Sequence, residues 1–378
     1  MSGALPYAMV GGGVGSFIGA VHRHALALDG RARLVAGAFS STAERSKESG
    51  AALGVDPGRA YGSYQEMIAG ESGRADRPAF VVIVTPNDTH YPIAKACLEG
   101  GFGVVCDKPF TITSGEAREL GAIAKQRGLL CAVTYNYSGY PMVREARARV
   151  ASGELGAVRK VFVEYHQGWL ATALESGGQK QAAWRTDPKR AGIGGSLGDI
   201  GTHAEHLVRF VTGLDVESVC ADLTSFVAGR ALDDDASVLM RLSGGANGTL
   251  TCSQVCVGEA NGLSIRVYGE RGGLVWCQEQ PEELAITRSD GSRTVFVRGS
   301  EGLSEHAGAS TRLPSGHPEG FIEAFGNLYL GVFEAIGAEG DRGVLSDLLP
   351  TASDGALGVR FVEACVRSAR DGTCWTTV

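Results

Sequence analysis

The chain has 378 residues, 44% apolar and 20% charged, enough apolar surface for two cored domains rather than one. Asp and Glu (42) outnumber Lys and Arg (35), the formal net charge is -7, and no Lys/Arg-rich run occurs, which argues against a nucleic-acid partner. Met1–Pro6 carries no positive charge ahead of an apolar core, and no apolar run approaches the roughly 18 residues a spanning helix needs, so neither a signal peptide nor a membrane anchor is expected.

Residues 7–10 predict a short apolar strand, followed by a glycine-rich turn over 11–15 and an apolar-periodic helix to about 28. Residues 33–38 read as a second strand, and Ser40, Ser41 and Thr42 offer caps for a helix over about 42–53. The uninterrupted apolar run 79–84 has the look of a strand buried on both faces. Val104–Cys106 and Leu129–Val133 are two more, with helical patterns at about 89–100 and 113–127 between. Strands alternating with helices imply a doubly wound parallel sheet with right-handed crossovers, placed here in a first domain over 1–134.

The pattern changes after about 134. Residues 158–165, 219–226, 236–242, 248–256, 264–269, 273–277 and 293–297 read as strands, several separated by glycine turns. One helix, about 199–212, interrupts them. A second domain over 135–378 is therefore expected to be α+β with a large open, mostly antiparallel sheet. Its last helices cover about 318–337 and 353–370, and the latter is placed to pack back on the first domain. Nine scattered cysteines, an odd count with several in apolar runs, fit reduced thiols in a cytoplasmic protein. Cys252 and Cys256 would share a strand face, but a metal clip needs tighter spacing and a second pair, so no metal is expected.

Gly11, Gly12, Gly13 and Gly15 lie between a strand and a helix, where the backbone can approach a pyrophosphate and the helix N-terminus supplies N–H groups. The spacing is not a clean G-x-G-x-x-G, since Gly13 is followed by Ser16 and the next glycine is Gly19. The strand–turn–helix context still points to a dinucleotide. At the end of the second strand an acidic residue would favour NAD. Ser40, Ser41 and Arg45 stand there instead. Two hydroxyls and a guanidinium suit a 2′-phosphate, so NADP is accepted or preferred on one reading; on the other, of equal weight, the serines only cap a helix.

Lys108 follows a buried strand, with Pro109 fixing the turn, and a lysine there is poorly explained by packing. Asp199 and His203 are four apart and share a face at helical spacing, as a general base and its orienting carboxylate require. His206 would complete a metal-like set. A non-metal site is favoured, because Lys108, expected at the same place, would repel a cation; His206 itself touches substrate or fills the core. Tyr165, Gln167, Trp169, Trp184 and Arg185 combine rings with polar groups, as polyol sites do, though packing accounts equally for each alone. Asn136 and Tyr137 follow the last strand of the first domain. His317-Pro318-Glu319 precedes a helix and would itself reach the pocket, on the sole warrant of a histidine in a loop, and His22 and His24 read as structural.

Together the Val10–Gly15 turn, Thr85-Pro86-Asn87-Asp88-Thr89-His90, Asp107-Lys108-Pro109 and Asp199-x-x-x-His203, in that order, resemble the glucose–fructose oxidoreductase / inositol dehydrogenase (Gfo/Idh/MocA) family across essentially the whole chain. The resemblance implies a Rossmann domain, then a domain whose open sheet makes oligomer contacts, giving a homodimer or homotetramer. It implies that Lys108, Asp199 and His203 line the nicotinamide and the substrate carbon. Thr85, Pro86, Asn87 and His90 would lie along the cofactor, with Gly11, Gly13, Gly15, Ser16, Phe17, Ile18, Asp107 and Asn136. Two features depart from the pattern: the residue before Lys108 is Asp107 where Glu is usual, and the glycine loop has an insertion around Ser16-Phe17-Ile18.

The function so implied is NAD(P)-dependent hydride transfer at a secondary carbinol of a sugar, cyclitol or glycoside. His203 would take the hydroxyl proton and Lys108 would hydrogen-bond the same oxygen. Two alternatives keep many of these residues: glycoside cleavage through transient oxidation, and a non-catalytic dinucleotide-binding regulator. The acid–base set of Lys108 and His203 speaks against the regulator.

Overall fold

The computed structural model describes residues 4–337 and 343–378. The reading of Met1–Gly3 lies outside the described residues. In chain order the first elements are β1 (Leu5–Gly11), α1 (Phe17–Ala27), β2 (Ala32–Ala38), α2 (Ala43–Ala52), α3 (Tyr64–Glu71), β3 (Phe80–Val84), α4 (His90–Glu99), β4 (Gly103–Cys106), α5 (Ser114–Arg127) and β5 (Cys131–Val133). They are followed by α6 (Pro141–Ala151), β6 (Val158–His166), α7 (Lys180–Arg185), α8 (Pro188–Ala191), α9 (Thr202–Thr212), β7 (Val216–Thr224), β8 (Asp235–Leu242) and β9 (Asn247–Ser253). The chain ends with β10 (Gly262–Gly269), β11 (Gly272–Cys277), β12 (Glu283–Arg288), β13 (Arg293–Val297), α10 (Glu305–Ala309), α11 (Phe321–Ile336), α12 (Ala352–Arg370) and β14 (Thr376–Thr377).

The chain forms two compact units. The first comprises residues through Thr111, 115–136 and 321–356; the second comprises 112–114, 137–320 and 357–378. The helix that returns to complete the first unit is α11. The helix expected to pack back there, α12, is divided: Ala352–Ala356 belongs to the first unit and the remainder to the second.

In the first unit five parallel strands lie in the order β2-β1-β3-β4-β5. Alternate strand side chains point to opposite faces, so the continuous apolar runs supply two cores. Ala8, Val10, Val81, Ile83 and Val104 pack with Met67 of α3, Ile93 and Leu98 of α4 and Leu120 of α5. Met9, Phe80, Val82 and Val105 pack with Val21 and Leu26 of α1 and with Phe325 and Val332 of α11. Each of these side chains larger than alanine contributes roughly 1.5–3 kcal/mol when fully buried, which is why the strand ends, and the loops they carry, hold a fixed geometry.

In the second unit nine strands run in the order β13-β12-β11-β10-β6-β9-β8-β7-β14. All neighbouring pairs are antiparallel except β6 with β9. Burial alternates along the strands: in β8, Val238, Met240 and Leu242 are buried while Leu239 is 49% exposed. One face is thus covered, in part by α6 and α9, and the other is open. Every residue of α9 is buried, so this helix is held on all sides. Two strands escaped the sequence reading, β12 and β14. Glu283–Arg288 does alternate, with Leu284 and Ile286 buried, but over only 6 residues. All nine cysteines are free; β9 ends at Ser253, so Cys256 lies beyond the strand it was expected to share with Cys252. Among the described residues no helix is long and apolar enough to cross a membrane.

Candidate active site

The order of the parallel sheet reverses between β1 and β3, where open sheets of this kind leave a crevice for ligands outside their carboxyl ends. The expected cofactor residues occupy the loops leaving those ends. Gly11–Ser16 follows β1, Ser40 and Ser41 follow β2, Thr85–Asn87 follows β3, Asp107–Pro109 follows β4 and Asn136 follows β5.

Ser16 is the N-cap of α1: its Oγ accepts from Gly19 N–H and its carbonyl from Ala20 N–H, both at 3.2 Å. The N–H groups of Phe17 and Ile18 are left at the positive end of an 11-residue helix, the usual seat for a pyrophosphate. The insertion expected at Ser16–Ile18 is therefore corrected: these residues are the cap and first turn of α1. The close approach of helix and strand falls on Gly12 and Gly19, where a Cβ on Gly19 would stand 2.4 Å from Gly12 Cα. That pair is seven residues apart, which the G-x-G-x-x-G spacing overlooks. After β2, the N-cap of α2 is Thr42, so the capping expected of Ser40 and Ser41 does not occur; Ser40 is half-buried, and Ser41 and Arg45 are exposed.

The next loops are tied to one another. Thr89 Oγ1 donates to Thr85 Oγ1 and lies 2.7 Å from both that atom and the Pro86 carbonyl. The His90 ring lies between two backbone carbonyls, Thr85 O at 2.7 Å and Pro109 O at 2.9 Å. It is 1% exposed, so the expectation that it runs along the cofactor is corrected: it braces the two loops from beneath. Burial pushes its pKa down, while Asp107 and the two carbonyls push it up. The Asp107 carboxylate accepts from Thr134 Oγ1 at 2.6 Å, with His22 Nε2 at 3.6 Å, and His22 Nδ1 lies 2.5 Å from the Tyr329 hydroxyl. Burial alone would raise the Asp107 carboxyl, but His22 and Thr134 overcome it and hold it down to about 2. Lys108, the next residue, is half-buried at the carboxyl end of β4. Asn136 Nδ2 is a buried amide donor with no hydrogen-bond partner among the described residues. An orphaned donor after β5 and the open α1 terminus after β1 both fit a dinucleotide in this crevice.

In the second unit the helix expected over 199–212 begins as a π turn, Leu197–Gly201, in which Thr202 N–H reaches the Leu197 carbonyl. Such turns recur at functional sites. Asp199 is the middle residue of this turn, and His203 is the second residue of α9. Asp199 Oδ2 accepts from Arg185 Nε at 3.0 Å and from Gln254 Nε2 at 2.9 Å. The Arg185 guanidinium stacks over Trp184, 4.2 Å from its centroid, and reaches to 5.9 Å from Trp169. The His203 ring meets Tyr137 edge-on at 4.8 Å. The Tyr137 and Tyr165 hydroxyls are 2.5 Å apart, and Asn261 Oδ1 accepts from Tyr165 OH at 2.7 Å and from Gln167 Nε2 at 2.8 Å. Trp169 Nε1 donates to Gln167 Oε1 at 3.1 Å. Burial pushes both phenols up, so both stay protonated at neutral pH.

The expected substrate-side residues of this unit therefore form one connected set. Gln254 and Asn261 were missed; each follows or precedes an apolar strand, and no motif marks it. Two candidates separate from the set. His206 stacks on Phe210 at 5.8 Å inside the core. Glu319 does not reach a pocket: it is buried against Arg298 Nη1 at 3.1 Å and accepts from Arg312 N–H at 2.7 Å, while His317 is exposed. His24 is exposed on α1.

Residues 5–135 match the model of an oxidoreductase family with an NAD-binding Rossmann fold, and residues 143–275 match the GFO/IDH/MocA C-terminal domain. An uncharacterised oxidoreductase of Bacillus subtilis, YfiI, is 39% identical over 99% of this chain and 97% of its own length. An inositol dehydrogenase homologue from Azotobacter vinelandii, solved with NAD+, superimposes with a TM-score of 0.95 at 39% identity, over 100% of this chain and 98% of that one. The structure of an inositol dehydrogenase homologue from the same organism with NADH and myo-inositol gives a TM-score of 0.92 at 38% identity, over 100% and 98%.

Proposed function

The chain belongs to the GFO/IDH/MocA oxidoreductase family and is an NAD-dependent dehydrogenase, and from that premise we propose that it oxidises a secondary carbinol of a sugar or cyclitol. The observation that carries the reading is the ring-and-amide network around Asp199 and His203. Polyols need flat apolar surfaces for their C–H faces and several fixed donors and acceptors for their hydroxyls, and Trp169, Trp184, Tyr165 and Gln167 are of those kinds. The relative bound to myo-inositol supports the same class.

Bound NAD+ supplies the hydride acceptor. The second unit contributes His203, which accepts the proton of the reacting hydroxyl, and Asp199, which is held in place by Arg185 and Gln254 and orients the substrate. The first unit contributes Lys108, whose ammonium donates to the alcohol oxygen and stabilises negative charge developing there. Phe17 and Ile18 N–H groups hold the pyrophosphate, and Asn136 Nδ2 takes an acceptor of the cofactor. Ser40, Ser41 and Arg45 suit a 2′-phosphate, so NADP is accepted beside NAD. The open face of the nine-stranded sheet, where Leu239, Tyr268 and Val295 are each more than 40% exposed, pairs copies into a dimer or tetramer.

The test is reduced-nicotinamide formation with NAD+ or NADP+ and a panel of myo-inositol, hexoses and glycosides. Turnover confined to polyols supports the reading. Release of an aglycone with no net reduction of cofactor would replace it with redox-assisted glycoside cleavage.

A further inference from the structure

Asp233 lies in the loop just before β8, on a different stretch of chain from every residue assigned above. Its Oδ1 accepts from the Gly195 N–H at 2.7 Å. Its Oδ2 accepts from the Leu197 N–H and the Ser196 hydroxyl, each at 2.8 Å. Its carbonyl accepts from the Ser196 N–H, also at 2.8 Å. Four hydrogen bonds thus fasten one residue to three consecutive residues. Gly195 permits this approach: a Cβ there would stand 2.0 Å from the Asp233 carbonyl oxygen.

Those three residues lead into the turn that carries the chemistry. Leu197 opens the π turn, and the Gly195 carbonyl accepts from the Asp199 N–H at 2.9 Å. The path from Asp233 to the backbone of Asp199 is therefore two hydrogen bonds long. The neighbouring residue reaches the Asp199 side chain by a second route. The Asp234 carbonyl accepts from the Gln254 N–H at 2.9 Å, and Gln254 Nε2 donates to Asp199 Oδ2. A carboxylate at the start of a helical segment also meets its unpaired N–H groups and positive end. Burial pushes the Asp233 carboxyl up from its ordinary value, and its three donors act against that shift.

We propose that Asp233 is a positioning residue for the dehydrogenase: it fixes the π turn so that Asp199 and His203 present a set geometry to the substrate. The proposal rests on the reading of Asp199 and His203 as the acid–base pair. A plain helix cap predicts a loss of stability spread over all functions. A positioning residue predicts a selective loss, since misplacement of a reacting group by about 1 Å costs on the order of a hundredfold in rate.

The test compares the full-length wild type with Asp233→Ala and Asp233→Asn by amide hydrogen exchange, NADH titration and steady-state kinetics on a polyol that the wild type oxidises. In Asp233→Ala we expect the Gly195, Leu197 and Asp199 amides to exchange at least tenfold faster, kcat to fall roughly a hundredfold, and NADH affinity to stay within twofold. Asp233→Asn, which keeps one acceptor oxygen, falls between the two. Unchanged exchange at 195–199, a kcat within twofold of wild type, or a parallel loss of NADH affinity each overturns the proposal. A wild type that oxidises no polyol defeats the reading of the pair instead. Faster exchange at 195–199 would then leave the tether standing but deny it a catalytic pair to position, so the two failures are distinguishable.

Discussion

Arg185 donates from Nε to Asp199 Oδ2 at 3.0 Å while its guanidinium lies flat on Trp184. The pair is only partly exposed, 24% and 15% at the side chains, so solvent screens it weakly and the guanidinium's planarity matters. Arg185→Leu should leave the carboxylate with one donor fewer and lower kcat/KM roughly ten- to a hundredfold, as for loss of a charged hydrogen-bond partner. Arg185→Lys should restore little, because an ammonium cannot both stack on the indole and meet the carboxylate in the guanidinium's geometry. Steady-state kinetics on the two variants checks this; full recovery in Arg185→Lys would contradict it.

Asp107 links the protein's stability to pH. Its carboxyl falls from 3.8 in its ordinary state to about 2 in the fold. A depressed carboxyl contributes stability above its unfolded pKa and loses it as pH falls through the folded one, here between about 4 and about 2. The contribution is about 2 kcal/mol at neutral pH. Asp107→Asn should therefore melt at a lower temperature than wild type at pH 6, and the gap should close as pH approaches 2. Thermal melts across that range measure it; a gap independent of pH would contradict it.

The proposed acceptance of NADP is tested at the loop after β2. On the proposed reading, Ser40, Ser41 and the exposed Arg45 would meet a 2′-phosphate there. Arg45→Glu should lower kcat/KM with NADP+ about ten- to a hundredfold, equivalent to losing a hydrogen bond to a charged group, and leave the value with NAD+ within about threefold. The ratio of the two measured on one polyol decides it. Equal losses with both dinucleotides would place Arg45 outside the cofactor site.

Much of this was legible in the sequence because it follows from periodicity and composition. The apolar run 79–84 became a central strand buried on both faces, and the change from alternating βα units to successive strands marked the second sheet. What was not legible depends on contacts between residues far apart in the chain. The Gly12–Gly19 approach breaks the familiar glycine spacing, because Ser16 rather than a glycine caps α1. The π turn at Leu197–Gly201 adds one residue to an apparently helical step, and nothing in Gly-Asp-Ile-Gly announces it. Its tether, Asp233, lies 34 residues beyond Asp199 in the numbering, in a segment whose only local sign is a run of acidic residues. His22 read only as structural; the fold brings it to Asp107 and Tyr329. Glu319 shows the reverse case, a polar residue near a histidine that turns out to be locked by Arg298.

The central claim, dehydrogenation of a polyol by Lys108 with Asp199 and His203, is tested most directly by reduced-nicotinamide formation from NAD+ by wild type and Lys108→Ala on the polyol panel, with NADH titration of both proteins alongside. The account predicts turnover by the wild type, a fall of about a hundredfold or more in kcat for Lys108→Ala, in line with loss of a group stabilising developing charge, and NADH affinity retained. Wild-type turnover that persists in Lys108→Ala, or tight NADH binding with no turnover of any panel member by either protein, would contradict it.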